Sequence, residues 1–79
     1  MIFVYILQSL KDHGYYIGIS KNLTDRLKKH NAGGVSSTSR RRPFKIVYSE
    51  AFESYNIARL REKEIKSYKG GNKLRELLA

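Results

Sequence analysis

With 79 residues, the chain has room for one domain, which we expect to span residues 1–79 around a thin hydrophobic core. It contains no cysteine, which excludes disulfides and thiolate zinc sites, and its two histidines lie 17 positions apart, a poor spacing for a metal cage. Sixteen Lys and Arg against seven Asp and Glu give a net charge of +9, which favours a polyanionic partner, usually nucleic acid, over a neutral small molecule.

No apolar run approaches the roughly 18 residues that span a bilayer. The N-terminal segment MIFVYILQ also carries no basic leader and no small-residue cleavage site. We therefore expect no membrane partner and a cytoplasmic location.

The chain begins with two predicted strands joined by a turn. Residues 2–8 (IFVYILQ) are rich in β-branched and aromatic residues and too few for an ordinary helix, which predicts a strand buried on both faces. Residues 11–14 (KDHG) have a turn composition, and residues 15–20 (YYIGIS) are a second β-rich run. The two strands therefore form a predicted hairpin, in which alternation places Tyr15 and Tyr16 on opposite faces.

A basic helix is predicted over residues 23–31. Asn22 can cap it, because its side chain can accept a hydrogen bond from the backbone N–H of Asp25. Gly33 and Gly34 follow the last turn and end the helix.

A polar loop and a third strand come next. Residues 34–43 (GVSSTSRRRP) carry a glycine, three serines and three consecutive arginines, which indicates a loop. Phe44, Ile46 and Tyr48 then occupy alternate positions, as expected of a strand that turns these three side chains to one face.

Two helices complete the chain. Ser54 is the candidate N-cap of a helix of about four turns, residues 55–69, that ends before a pair of glycines. Asn72 suits the cap of a short last helix, residues 72–79. The predicted order is β-β-α-β-α-α, which indicates an α+β fold with a small three-stranded antiparallel sheet flanked by helices.

Two tyrosines and a glycine are the first candidates for a functional role. The predicted hairpin brings the phenols of Tyr5 and Tyr16 near each other, although both could equally be core residues with a hydrated hydroxyl. Gly18 weakens its strand, which usually marks a bulge or a close approach by a ligand or by backbone.

Arg26 and His30 are four positions apart on the first helix and therefore share a face. An arginine and a histidine in this arrangement can clamp a phosphate and transfer a proton beside it. The alternative is a solvated basic face, to which Lys28 and Lys29 are expected to belong.

Two carboxylates on the second helix compete for an inward position. The apolar side chains of that helix are Ile57, Ala58, Leu60, Ile65 and Tyr68. Their mean direction slightly favours Glu64 as the inward carboxylate and places Glu62 at the edge of the stripe. Periodicity leaves the choice open, because a metal ligand could lie at the edge. Alternatively, Glu62 pairs with Lys66 and Glu64 with Arg61.

Together these residues resemble the GIY-YIG nuclease family, in its small single-domain bacterial branch. The second signature triplet is present as residues 16–18 (YIG), and Tyr5 falls eleven residues before its tyrosine, as the family spacing requires. Residues 3–4 are Phe-Val where the name motif has Gly-Ile. The similarity extends through the loop and third strand, SSTSRRRPFKIVY.

The resemblance also assigns the polar candidates. Arg26 falls where the family has its catalytic arginine, and His30 matches a histidine found one turn later in several branches. The AxxxE pattern at residues 58–62 selects Glu62 over Glu64 as the metal-binding glutamate. Asn72 matches a late asparagine of some branches, though its position suits a helix cap equally well.

The resemblance implies a Mg²⁺-dependent (or Mn²⁺-dependent) endonuclease that hydrolyses phosphodiester bonds in nucleic acid, with DNA as the expected substrate. Glu62 would hold the metal ion and Arg26 would brace the phosphate. Tyr16 would position water or phosphate. Tyr5 is the first candidate for general base, and His30 is its rival because its unperturbed pKa is nearer neutrality.

The basic side chains are expected to follow the nucleic-acid backbone. They are Lys21, Lys28, Lys29, Arg40, Arg41 and Arg42. One alternative is a non-catalytic nucleic-acid-binding module on the same scaffold, and a second is a basic protein of a ribonucleoprotein particle. The small size also leaves room for a homodimer or for a partner protein that supplies specificity.

Overall fold

The computed structural model describes the whole chain, Met1–Ala79. It contains β1 (Ile2–Ser9), β2 (Tyr15–Ser20), α1 (Leu23–Asn31), β3 (Phe44–Phe52), α2 (Tyr55–Ser67) and α3 (Asn72–Leu78). The order β-β-α-β-α-α and the α+β class with a three-stranded antiparallel sheet are thus confirmed. None of the three helices has the length and apolar character that a bilayer-spanning segment needs.

The strand β1 lies at the centre of the sheet, whose order is β2-β1-β3, and both neighbours run antiparallel to it. Residues Val4, Tyr5, Ile6 and Leu7 are all buried, so both faces of β1 are covered, as predicted. Because its backbone pairs on both edges as well, β1 is a rigid support for any side chain that it carries.

Each face of the sheet has its own hydrophobic cluster. On one face, Val4 and Ile6 pack with Ala58 and Ile65 of α2 and with Leu74 of α3. The cluster on the other face, which α1 covers, consists of Tyr5, Leu7 and Phe44, with Tyr16, Leu23, Leu27 and Ile46 packed against it. We call these the α2 face and the α1 face.

Tyr48 does not lie on the face that strict alternation predicts. Ile6 pairs with Tyr48, whereas the next residue, Leu7, pairs with Ile46, so Val47 is an extra residue in β3. Such a β-bulge reverses the side-chain alternation beyond it. Ile46 consequently packs on the α1 face and Tyr48 on the α2 face.

The helix starts agree with the predicted caps in two of three cases. The Asn22 side chain accepts a hydrogen bond from the backbone N–H of Asp25 at 3.0 Å. Ser54 is the N-cap residue of α2, although its side chain makes no capping bond. The prediction that Asn72 caps α3 is wrong, because Gly71 takes the extended N-cap conformation and Asn72 is already the first helical residue.

Candidate active site

Three side chains singled out in the sequence meet on the α1 face. Tyr5 projects from β1, Tyr16 from β2, and His30 from the last turn of α1. The Tyr5 Oη and His30 Nε2 atoms lie 3.1 Å apart, at hydrogen-bonding distance. The ring centroids of Tyr16 and His30 are 4.9 Å apart, and those of Tyr5 and Tyr16 are 6.4 Å apart. The hairpin and α1 therefore assemble one aromatic cluster.

Gly18 makes room for the Tyr5 ring. The two residues are direct partners across β1 and β2. A Cβ atom at position 18 would overlap the hydroxyl oxygen and Cζ of Tyr5. The sequence predicted a bulge or a close approach by a ligand or by backbone, whereas the group that approaches Gly18 in the structure is the Tyr5 side chain.

His30 is completely buried, and both of its ring nitrogens have partners. Besides the contact with Tyr5, its Nδ1 atom lies 2.8 Å from Oγ1 of Thr38. Thr38 is also completely buried, in the loop between α1 and β3. This contact could not be predicted from the sequence, because one hydroxyl in a serine-rich loop has no periodicity that could mark it. His30 does not belong to a solvated basic face.

Burial shifts the pKa values of Tyr5 and His30 in opposite directions. Desolvation, with smaller contributions from Tyr16 and Glu62, raises the pKa of Tyr5 to about 12, and the positive charge of Arg26 partly opposes the rise. Desolvation lowers the pKa of His30, and Arg26 and Lys29 lower it further. At neutral pH the phenol is therefore protonated and the imidazole is neutral.

Arg26 lies where the cluster meets the protein surface. It is half-buried on α1 and lines two shallow cavities of about 270 and 350 Å³ together with Ser20 and Lys21. The first cavity is completed by Ile2, Ile19 and Tyr55, and the second by Asn22, Asp25 and Lys29. A ligand in either cavity can contact the guanidinium group.

The structure turns Glu62 inward and Glu64 outward. Their side chains are 15% and 54% exposed, so the mild preference of the periodicity for Glu64 is wrong. The reason is that Ala58 and Ile65 are the buried residues of α2, while Ile57 remains 56% exposed. Because the exposed apolar side chains do not belong to the buried face of α2, the mean direction of that face lies nearer to Glu62 than to Glu64.

Both glutamates also form the ion pairs proposed as the alternative. Glu62 Oε2 lies 3.3 Å from Nζ of Lys66, and Glu64 Oε1 lies 3.0 Å from Nη1 of Arg61. The Lys66 side chain is 54% exposed, and such pairs contribute little to stability.

A second polar cluster lies on the α2 face, and only its Arg61–Glu64 pair was predicted. Arg61 donates to both carboxylate oxygens of Glu50 on β3, at 2.9 and 2.8 Å. The Tyr48 hydroxyl donates to the same carboxylate, and Tyr68 donates to Glu64 at 2.9 Å. Glu50 reaches this face only because of the bulge before it. The network fixes α2, and with it Glu62, relative to the sheet.

The predicted nucleic-acid-binding residues do not all have the same surroundings. Exposed members of the set are Lys21, Lys28, Lys29, Arg40 and Arg42. Arg41 instead pairs with Asp12 at 2.9 Å and stacks over the Phe44 ring at 5.6 Å. The Arg41 guanidinium group thus links the loop of residues 34–43 to the turn between β1 and β2. It is less available to a ligand than the side chains of Arg40 and Arg42.

Glu62 is the one carboxylate among the candidate catalytic residues. No three His, Asp or Glu side chains lie close enough together to hold a metal ion by themselves. Glu62 is a hard oxygen donor, and one carboxylate combined with substrate phosphates and water is an ordinary environment for Mg²⁺. Asn72 is exposed at the start of α3 and makes no hydrogen bond to the Tyr5–His30 pair.

Fold and site together define a small α+β domain of the GIY-YIG type. The family model of the GIY-YIG catalytic domain matches residues 1–75, and the chain belongs to this family. It is similar to the UPF0213 proteins of two Staphylococcus aureus strains, each 43% identical over 74 residues that cover 92% of this chain and 89% of the relative. The solution NMR structure of the UPF0213 protein of Bacillus halodurans superposes with a TM-score of 0.54 at 36% identity, covering 99% of this chain and 82% of that one.

Proposed function

We propose that this protein is a metal-dependent endonuclease that hydrolyses phosphodiester bonds in nucleic acid, with DNA as the substrate. Membership of the GIY-YIG family indicates a nuclease. The observation that carries the proposal is the buried contact of 3.1 Å between Tyr5 and His30, beside Arg26. A phenol and an imidazole so placed can take a proton from water next to a bound phosphate.

Tyr5 and His30 would act as one base. A phenol with a pKa of about 12 stays protonated at neutral pH, so Tyr5 alone is a weak base. His30 is neutral because burial lowers its pKa, and its Nε2 atom lies beside the phenol oxygen. As water attacks phosphorus, Tyr5 would accept the proton from water and pass its own proton to His30. The P–O bond to the leaving oxygen then breaks, and that oxygen takes a proton from solvent.

Arg26 would stabilise the phosphate as negative charge accumulates. Its guanidinium group lines both surface cavities, so it can reach a backbone phosphate without a change of fold. A planar fork of N–H donors fits two phosphate oxygens at once. Tyr16, whose ring packs against His30, would orient the water or the phosphate.

Glu62 would hold the metal ion, Mg²⁺ or Mn²⁺, through its inward carboxylate. When bound, such an ion stabilises charge on the phosphate and on the leaving oxygen. The carboxylate is already close enough to raise the pKa of Tyr5, which supports its place at the same site. Lys66 neutralises Glu62 in the absence of the ion.

The test is a cleavage screen across single-stranded, duplex, flap and branched DNA and matched RNA, with Mg²⁺, Mn²⁺ or a chelator. We expect cleavage of at least one DNA substrate that the chelator abolishes. Replacing Arg26 or Glu62 by alanine should reduce the rate by roughly 100-fold or more, with an unchanged circular dichroism spectrum. Equal rates for both variants and the parent protein would contradict the assignment of the site.

A non-catalytic nucleic-acid-binding module is the second candidate. It is favoured by the absence of a preformed cluster of metal-binding side chains and by the pairing of Glu62 with Lys66. This function predicts tight binding to oligonucleotides that is insensitive to Mg²⁺, with no product on a gel. The same screen therefore separates the two functions.

A further inference from the structure

The hydrogen bonds around His30 form a chain that continues beyond Tyr5. His30 Nε2 faces Tyr5 Oη at 3.1 Å, and Nδ1 faces Thr38 Oγ1 at 2.8 Å. The Thr38 hydroxyl in turn donates to the backbone carbonyl of Val35 at 3.3 Å. His30 and Thr38 are completely buried, so water does not supply alternative partners for the imidazole or for the threonine hydroxyl.

The acceptor at the end of the chain indicates its direction. A carbonyl oxygen can only accept, and the Thr38 hydroxyl lies at donating distance from the carbonyl of Val35, which also accepts from the backbone N–H of Thr38. With its single proton used there, the Thr38 oxygen accepts from His30, which places the imidazole proton on Nδ1. Nε2 is left with a lone pair, and the Tyr5 hydroxyl donates to it.

We propose that Thr38 is a positioning residue that holds His30 in the Nδ1–H tautomer, so that Nε2 can receive the proton of Tyr5. The statement about the tautomer depends only on the buried hydrogen bonds. The statement about proton transfer rests on the proposed function. Thr38 does not touch the reacting atoms and acts through His30.

The Nε2–H tautomer would reverse the direction of the hydrogen bonds at both ring nitrogens. With the proton on Nε2, His30 would donate to the Tyr5 oxygen and could not accept a proton there. The Tyr5 hydroxyl would keep its proton, and the pair would have no basic atom directed at water. A side chain of the same shape without a hydroxyl at position 38 removes the oxygen that accepts from Nδ1–H, and with it the hydrogen bond that favours the Nδ1–H tautomer.

The tautomer of His30 can be read directly from long-range ¹H–¹⁵N correlation spectra of the folded protein. We expect the Nδ1–H form in the parent protein and in Thr38→Ser. In Thr38→Val, a substantial fraction should convert to the Nε2–H form. Ser37→Ala, which changes an exposed hydroxyl of the same loop, is the matched control and should keep the parent spectrum. A parent protein in the Nε2–H form, or an unchanged tautomer in Thr38→Val, would overturn the inference.

Single-turnover cleavage tests the consequence for catalysis. Thr38→Val should lose at least about tenfold in rate with the dissociation constant for substrate unchanged, whereas Thr38→Ser should remain within about twofold. If the tautomer changes and the rate does not, the positioning role is wrong. If the parent protein cuts no substrate, the proposed function fails, and the spectra still decide the tautomer. If Thr38→Val does not fold, the spectrum of the parent protein still tests the assignment, because the Nε2–H form there would contradict it.

Discussion

Tyr5 and His30 share a buried contact of 3.1 Å, and burial acts on both in the direction of the neutral form. Two uncharged partners avoid the cost of a buried charge. Proton transfer from Tyr5 to His30 separates charge, and Arg26 is placed to favour the phenolate because its positive charge lowers the pKa of Tyr5. At the scale of single residues, the Tyr5–His30 pair is neutral at rest and, in the proposed mechanism, becomes charged only during reaction.

The lowered pKa of His30 predicts how stability depends on pH. An unfolded histidine has a pKa near 6.5, above that of the buried His30, so the unfolded chain binds protons first as the pH falls. The free energy of unfolding should therefore decrease from about pH 7 to about pH 5. Urea denaturation at a series of pH values measures it.

The carboxylates with lowered pKa values affect the free energy of unfolding below this pH range, because their ordinary pKa values are 3.8 and 4.5. A His30→Gln variant should show a flatter dependence between about pH 7 and pH 5. Equal slopes for the variant and the parent protein would mean that His30 is not the group responsible.

At the scale of elements, α2 carries Glu62 and packs on the opposite side of the sheet to α1. Two features set its orientation: the packing of Ala58 and Ile65 on the sheet, and the bidentate contact between Arg61 and Glu50. Arg61 is therefore expected to serve catalysis through the placement of α2, without contacting substrate.

Arg61→Ala should lower the free energy of unfolding by about 1–3 kcal/mol, because it leaves the half-buried Glu50 carboxylate without its main partner. It should also slow metal-dependent cleavage, since Glu62 is carried on the same helix. Chemical denaturation and cleavage rates measure the two effects. Arg59→Ala, an exposed arginine of α2, is the matched control and should stay within about 0.5 kcal/mol of the parent. Equal stabilities for the two variants would contradict the role given to Arg61.

The elements themselves could be predicted because their signals are local. Asn22 and the glycines after α1 mark a helix by residue type alone, and alternation assigned Tyr16 correctly to the face that carries Tyr5. The bulge at Val47, the burial of Thr38 and the rotation of α2 toward Glu62 depend on contacts between elements. Periodicity within one segment holds no information about such contacts, and the resemblance to a known family supplied Glu62 instead.

At the scale of the whole molecule, positive charge is the dominant property. A net charge of +9 on 79 residues attracts a polyanion from any direction. The exposed lysines near Arg26 concentrate positive charge at one place on the surface. Lys21 and Lys29 line the cavity that Arg26 shares. Nucleic acid bound there would place a phosphate on Arg26, whose charge acts on both Tyr5 and His30.

Salt dependence of binding tests this location. Replacing Lys21 and Lys29 together by glutamine should weaken binding of a DNA oligonucleotide and reduce the slope of log Kd against log salt by about two. Fluorescence anisotropy at several salt concentrations gives the slope. Lys73→Gln with Arg75→Gln removes the same charge from α3 and should change the slope less. An equal change in the two double variants would indicate diffuse attraction without a defined binding face.

The central claim is that Tyr5 takes part in the hydrolysis, and the most direct test is the single-turnover cleavage rate of Tyr5→Phe on the best DNA substrate with Mg²⁺. The substitution removes one oxygen atom and keeps the ring that packs over Gly18. We predict a loss of roughly 100-fold or more, larger than that of His30→Ala, with unchanged DNA binding. A Tyr5→Phe variant that cuts as fast as the parent protein would contradict the account.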